Sequence, residues 1–376
     1  MRVAPRVGEA HKVGALGGTM KHRTRVVDLA RGRAPGSDEN RRTRCQPLRA
    51  AGSRFDPRAL FLAHYRRIRA TCLEFAEPGV AVFAFSLGDD SWRGSMCLAA
   101  RPGEVRTGVI GRHSEGDLHL GDDPSLALRH LLVLVEPGSL AGALRGEVRF
   151  RVMDLETGSP PKDEEGRLVD ALTAEGAVFL ACQDYAFLAF VTGDPTDWPD
   201  SARDAWACLP DRVFVEERLA RGSAPRPTPR PASRPAFGRR STVVTLVNGP
   251  SHIEYTALAS GEPPRGHLVI DAGGDQSRVP VDRDTLARGL LVGRYARCHV
   301  NAAAPITHTN VSRVHLLLIE VAGQLAAIDL ASSNGSYLLG AGFELLVPFR
   351  AAALHPGQAI ALADCNTVIA WRALTD

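Results

Sequence analysis

The chain has 376 residues, 44% hydrophobic and 23% charged, which is enough for two cores of ordinary size; its 36 Gly and 25 Pro favour loop-rich β structure over helical bundles. The net charge of +3 conceals a division: residues 1–54 hold 13 Lys/Arg against 4 Asp/Glu, residues 221–240 hold 6 Arg and no acid, and taking these from the totals of 45 and 42 leaves 26 basic and 38 acidic residues. An acidic folded part with basic flanks argues against a folded nucleic-acid binder, and no apolar run reaches the roughly 18 residues of a membrane span.

Residues 1–54 are polar, Arg-rich and aperiodic, so we expect a disordered basic tail without a secretory signal; Met20 is a second candidate start. A helix is expected over Phe55–Leu73, capped by Asp56 with Pro57 in its first turn and Leu60, Phe61, Tyr65, Ile68 and Cys72 on one stripe. A β-rich region follows from Val80 to about Val191, with short strands between Gly, Asp and Pro clusters. Residues 199–221 read as two helical pieces broken at Pro210, and Arg221–Arg240 reads as an extended Pro/Arg linker. A second β-rich region runs from Thr242 to Leu374. The expected organisation is therefore a tail (1–54), a helix plus β-sandwich with trailing helices (55–217), a linker (218–241) and a second sandwich (242–376), all-β in class with short helices flanking the first. Cys45, Cys72, Cys97, Cys182, Cys208, Cys298 and Cys365 are odd in number and show no C-x-x-C pattern, which fits buried free thiols in a reducing, cytoplasmic setting.

The two β-rich regions repeat three landmarks in order. The first has Gly111-Arg112, then Leu126-Ala127-Leu128-Arg129-His130, then Asp154-Leu155-Glu156-Thr157-Gly158. The second has Gly293-Arg294, then Val311-Ser312-Arg313-Val314-His315, then Asp329-Leu330-Ala331-Ser332-Ser333-Asn334-Gly335-Ser336. Arg to His spans 18 residues in the first and 21 in the second, which suggests a tandem duplication.

Residues from about 265 to 376 resemble a forkhead-associated (FHA) domain, on Gly-Arg before a loop, Ser-Arg-x-His opening a strand, and Asp-Leu-x-Ser-x-Asn-Gly-Ser with Tyr337 beyond. The resemblance implies a β-sandwich of about eleven strands that recognises phosphothreonine through loops at one end and does no chemistry. It assigns Arg294, Ser312, Arg313, Ser333 and Asn334 to the phosphopeptide, with Gly293, His315 and Gly335 as structural support. The residue types suit the task. A phosphothreonine offers nearly two negative charges and three acceptor oxygens, Arg294 a planar fork of donors, Ser312 and Ser333 one O–H each, and Asn334 both donor and acceptor for a peptide backbone. Ser333 stands where many relatives have Thr, which keeps the hydroxyl.

The first copy reads as a degenerate version that keeps the fold. Arg112, Thr157 and His130 remain, but Ala127 and Leu128 replace the serine and arginine and the turn lacks Asn. Such a domain is expected to pack against its sister, a second subunit or a partner. No phosphate-loop, H-E-x-x-H or G-x-S-x-G pattern occurs, and His299 and His308 beside Cys298 lack metal-ligand spacing, so no enzyme, cofactor or metal is expected. The expected role is a cytoplasmic adaptor in a Ser/Thr kinase pathway, with a phosphothreonine protein as partner. Thr228 in the linker is a candidate ligand within the chain itself. The competing reading is a phosphate-blind structural or oligomerisation scaffold whose basic tails meet acidic surfaces or nucleic acid.

Overall fold

The computed structural model describes residues 55–121, 123–138, 147–209, 211–217, 241–247, 264–300, 306–340, 345–363 and 366–374. The expected tail and Thr228 lie outside the described residues, as does nearly all of the expected linker. The described chain is mostly β-sheet. Helix α1 (Pro57–Glu74) comes first, with Asp56 Oδ1 accepting from Ala59 N at 3.0 Å and its buried face made of Leu60, Phe61, Tyr65, Ile68 and Cys72.

Twelve strands follow: β1 (Gly79–Ser86), β2 (Trp92–Ala99), β3 (Arg106–Gly111), β4 (Leu118–His119), β5 (Leu131–Val135), β6 (Phe150–Asp154), β7 (Lys162–Asp163), β8 (Ala171–Ala174), β9 (Ala177–Cys182), β10 (Tyr185–Thr192), β11 (Asp211–Glu217) and β12 (Ser241–Val247). They form one sheet in the order β2-β1-β10-β9-β7 and another in the order β11-β12-β8-β6-β5-β3-β4. The first core lies between these sheets, with Val80, Val82 and Ala84 of β1 facing Leu131, Val133 and Phe150. The alternate residues Ala81, Phe83 and Phe85 point the other way and pack under α1 and Trp198. Burial on both faces explains why β1 is a continuous apolar run rather than an alternating one.

Ten further strands build the second sandwich: β13 (Gly266–Ala272), β14 (Asp275–Val281), β15 (Leu290–Val292), β16 (Leu316–Val321), β17 (Gln324–Asp329), β18 (Ser336–Leu339), β19 (Leu345–Phe349), β20 (Ala351–Ala353), β21 (Ala359–Leu362) and β22 (Thr367–Ala373). The orders are β14-β13-β22-β21-β18-β19 and β15-β16-β17-β20, enclosing Leu268, Ile270, Val292, Leu316, Ile360 and Trp371.

Two expectations need correction. Among the described residues between 199 and 221, Ala202–Cys208 is the one helix; the expected second helical piece, after Pro210, is strand β11. Val213-Phe214-Val215 supplies the β-branched and aromatic run that suits a pleated surface. Strand β12, expected to open the second sandwich, pairs instead with β8 antiparallel and with β11 in parallel, so the boundary set at 242 falls inside a strand of the first. A short helix, Arg283–Arg288, was not foreseen; Asp282 caps it and Gly289, at φ 95°, ends it.

The two sandwiches meet through corresponding sheets. Register aligns Val109, Leu132 and Met153 across β3-β5-β6, and Leu291, Leu317 and Ile328 across β15-β16-β17. These six side chains share one buried cluster with Leu134, Leu155, Ile319 and Leu330. Each fully buried aliphatic side chain contributes about 1.5–3 kcal/mol, so the contact is a core in its own right. The first sandwich, expected to pack against its sister, a second subunit or a partner, is in contact with its sister through this cluster.

Candidate functional site

The ladder explains why three loops gather at one end of the second sandwich. Val292, Leu316 and Asp329 are directly paired across β15, β16 and β17, so the segments after Val292, before Leu316 and after Asp329 leave the sheet at the same level. The first loop is tied to the second by Arg294 N–Ser312 O at 3.3 Å and Tyr295 N–Arg313 O at 2.9 Å. Gly293 is required there because a Cβ would lie 2.4 Å from Arg313 O. Arg294 Nε donates to Val311 O at 2.8 Å, orienting an exposed guanidinium.

His315 braces the second loop to the third. Its Nδ1 accepts from Ser312 N at 2.9 Å, so Nε2 carries the proton and donates to Gly335 O at 3.0 Å. Burial holds this imidazole below its ordinary pKa, against the pull of Asp329. The carboxylate of Asp329 accepts from Ser332 N at 2.8 Å, Ser332 Oγ at 2.6 Å and Ser336 Oγ at 2.7 Å. Those two hydroxyls are thereby turned inward, whereas Ser333 and Asn334 between them are exposed. Ser333 N donates to Ser312 Oγ at 3.1 Å, and Asn334 Nδ2 donates to Asn310 O at 2.8 Å. The positive φ of Ala331 (55°) and Gly335 (77°) makes the two reversals of this loop. Arg294, Ser312, Ser333 and Asn334 are thus brought together, with exposed Arg313 beside them.

The first sandwich reproduces the frame bond by bond. Arg112 Nε donates to Leu126 O at 2.8 Å, His130 Nδ1 accepts from Ala127 N at 3.0 Å, and His130 Nε2 lies 3.1 Å from Ser159 O. A Cβ on Gly111 would lie 2.4 Å from Leu128 O, and Glu156 has φ 55° like Ala331. Burial depresses the pKa of His130 to about 4, so this brace is a neutral imidazole. Thr157, expected as a remnant of the ligand site, donates its hydroxyl to Asp154 Oδ1 at 2.5 Å. It matches inward-facing Ser332, and the turn has no outward counterpart of Ser333 or Asn334.

Sequence reasoning missed two arginines behind the loops. Arg129 is 4% exposed and its guanidinium donates to Leu330 O and Ala331 O of the second sandwich. Arg297 donates to Glu156 O at 3.3 Å and Arg129 O at 3.4 Å. The available signal was a charged residue at the place where the other copy has Val314. His299, which lacks metal-ligand spacing in the sequence, is buried and its Nδ1 accepts from Leu291 N at 3.0 Å. Among the described residues no group of three His, Cys, Asp or Glu side chains could hold a metal ion. Nor is any described helix long and apolar enough to cross a membrane. Of the five described cysteines, Cys208 is exposed.

No family model and no curated protein matches the sequence. Solved structures do, and FHA domains are among them. The FHA-1 domain of Rv1747 from Mycobacterium tuberculosis is 21% identical, matched over 29% of this chain and 98% of that one, at a TM-score of 0.22. The FHA domain of an Arabidopsis thaliana hypothetical protein is 25% identical over 30% of this chain and 89% of that one, at a TM-score of 0.24. EmbR of Mycobacterium tuberculosis, solved with a low-affinity phosphopeptide, is 23% identical over 32% of this chain, at a TM-score of 0.23. That match spans only 29% of the EmbR chain.

Proposed function

We propose that the second sandwich binds phosphothreonine peptides and that the protein is an adaptor in Ser/Thr kinase signalling. One observation carries the reading: the 3.1 Å bond from Ser333 N to Ser312 Oγ closes two loops onto each other beside a pinned Arg294. A guanidinium, two hydroxyls and an amide then converge from three loops, and phosphate oxygens diverge in the same way. Ser312 Oγ accepts from Ser333 N and so keeps its own proton to donate. Asn334, held through Nδ2, presents Oδ1 to a peptide N–H. Arg313 adds positive potential for the phosphate or for residues after it.

Calorimetry on the full chain with a phosphothreonine peptide library tests this, with micromolar-range binding expected and little for unphosphorylated peptides. Charge-assisted contacts contribute about 1.5–3 kcal/mol each, so Arg294→Ala is expected to weaken binding by about 100-fold. Phosphoserine should bind less tightly, since a buried methyl is worth about 1–3 kcal/mol. Equal affinity for wild type and Arg294→Ala would end the proposal.

A further inference from the structure

We infer that the first sandwich is a positioning element for the candidate site, holding two of its loops from behind through Arg129 and Arg297. The inference rests on the phosphopeptide reading of that site. Arg129 is buried, and its donors go to the carbonyls of Leu330 and Ala331, where β17 turns into the loop bearing Ser333 and Asn334. Leu330 is 0% and Ala331 2% exposed, so without Arg129 these carbonyls would lack a partner from water. Ala331 also holds the left-handed φ of 55° that sends Ser332 inward and Ser333 outward.

Arg297 makes the reciprocal tie. It lies three residues beyond Arg294, stacks over Tyr295 at 5.4 Å, and donates to Glu156 O and Arg129 O of the first sandwich. The turn at Glu156 is the counterpart of the turn at Ala331, so each sandwich holds the other's third loop by an arginine. An apolar contact alone would not need these charges. Burial lowers the pKa of Arg129 to about 10, the mark of an unfavourable place for a cation. Val314, at the matching position, is itself buried in the same cluster, so an aliphatic side chain fits there.

The test uses the full chain and a phosphothreonine peptide that wild type binds. Calorimetry on Arg129→Met, shown folded by thermal unfolding, should report an affinity lower by about tenfold, the usual scale of coupling between sites. Arg129→Lys, which keeps one donor, should recover part of it. Amide exchange at Ser333 should quicken in Arg129→Met before any peptide is added. Wild-type affinity and unchanged loop exchange in folded Arg129→Met would overturn the inference and leave the proposed function standing. If Arg129→Met does not fold, exchange on the wild type decides. By linkage, peptide should then slow the amides of residues 128–131 and 155–157 as well as 329–335. Slowing confined to the second sandwich would count against the inference. Failure of wild type to bind any phosphopeptide would instead remove the proposed function, and the inference with it.

Discussion

In the second sandwich the Ser312 hydroxyl takes the Ser333 N–H at 3.1 Å, whereas in the first, where Ala127 stands, a loop amide turns to its own neighbour, Ser159 N to Thr157 Oγ1 at 3.2 Å. The frame around that difference is shared. Each copy pins its arginine through Nε, seats a glycine against a carbonyl, and buries a neutral histidine between two loops. Bonds internal to the sandwich are therefore separable from groups aimed outward. The first sandwich lacks only the second kind, and its contacts with the second use the shared frame.

The largest effect should come from the surface where the copies meet. Leu132 and Leu317 occupy matched register positions and are 0% and 1% exposed. Truncation of either to Ala should cost about 2–5 kcal/mol by urea unfolding. A large loss at one and none at the other would break the equivalence of the two faces. Next comes the arginine pair. Arg112 and Arg294 are both exposed and make the same 2.8 Å bond, so geometry at the arginine alone does not distinguish them. Arg294→Ala should lose phosphopeptide by about 100-fold while Arg112→Ala leaves affinity unchanged, because the loops beside Arg294 carry Ser312 and Ser333 where the first sandwich has Ala127 and no outward Ser. Ala127→Ser in the first copy should restore no binding, since its turn still lacks an outward Ser and Asn.

The histidines sharpen the same contrast at smaller scale. His130→Ala and His315→Ala each strand a loop amide and a loop carbonyl, at about 1–3 kcal/mol of stability per unsatisfied group. Denaturant curves should show similar losses for both. Phosphopeptide binding should weaken more in His315→Ala, because its loops carry Ser312 and Ser333, than in His130→Ala, which acts only through the loop that carries Arg129. Similar weakening from His130→Ala would make the first sandwich part of the ligand site itself.

Much of this was legible in the residues. Gly-Arg, Ser-Arg-x-His and Asn-Gly marked three loops because each needs a local chemistry: a missing Cβ, a short acceptor reach, a left-handed turn. The runs Leu131–Val135 and Leu316–Ile319 are apolar at every position, which is how strands buried on both faces read, so the contact between the copies had a visible sign. What could not be read were the partners of Arg129 and Arg297, which lie more than a hundred residues away in the chain. The same holds for β12, whose partner β8 is fixed by pairing and not by its own pattern.

The smallest predicted effect concerns the one titratable difference between the two matched turns. Glu156 stands where the second copy has Ala331, and its backbone carbonyl holds Arg297. Burial, then Asp154 and Asp170, raise its carboxyl pKa to about 7, against the pull of Arg297 and Arg288; His299 lies 3.8 Å away. A free glutamate titrates near 4.3, so the folded chain binds this proton more tightly than the unfolded one. The stability it confers is full below about pH 4.3 and is lost as pH rises through about 7. His299, depressed by burial to about 4, works in the opposite sense, its contribution being present above about 6.5 and lost in acid. The difference between wild type and Glu156→Gln removes that background. Thermal unfolding of the two should therefore change relative to each other between about pH 4.3 and 7, with wild type losing ground as pH rises through that window. Parallel curves would mean that the asymmetry between the turns at Glu156 and Ala331 carries no charge into the contact between the sandwiches.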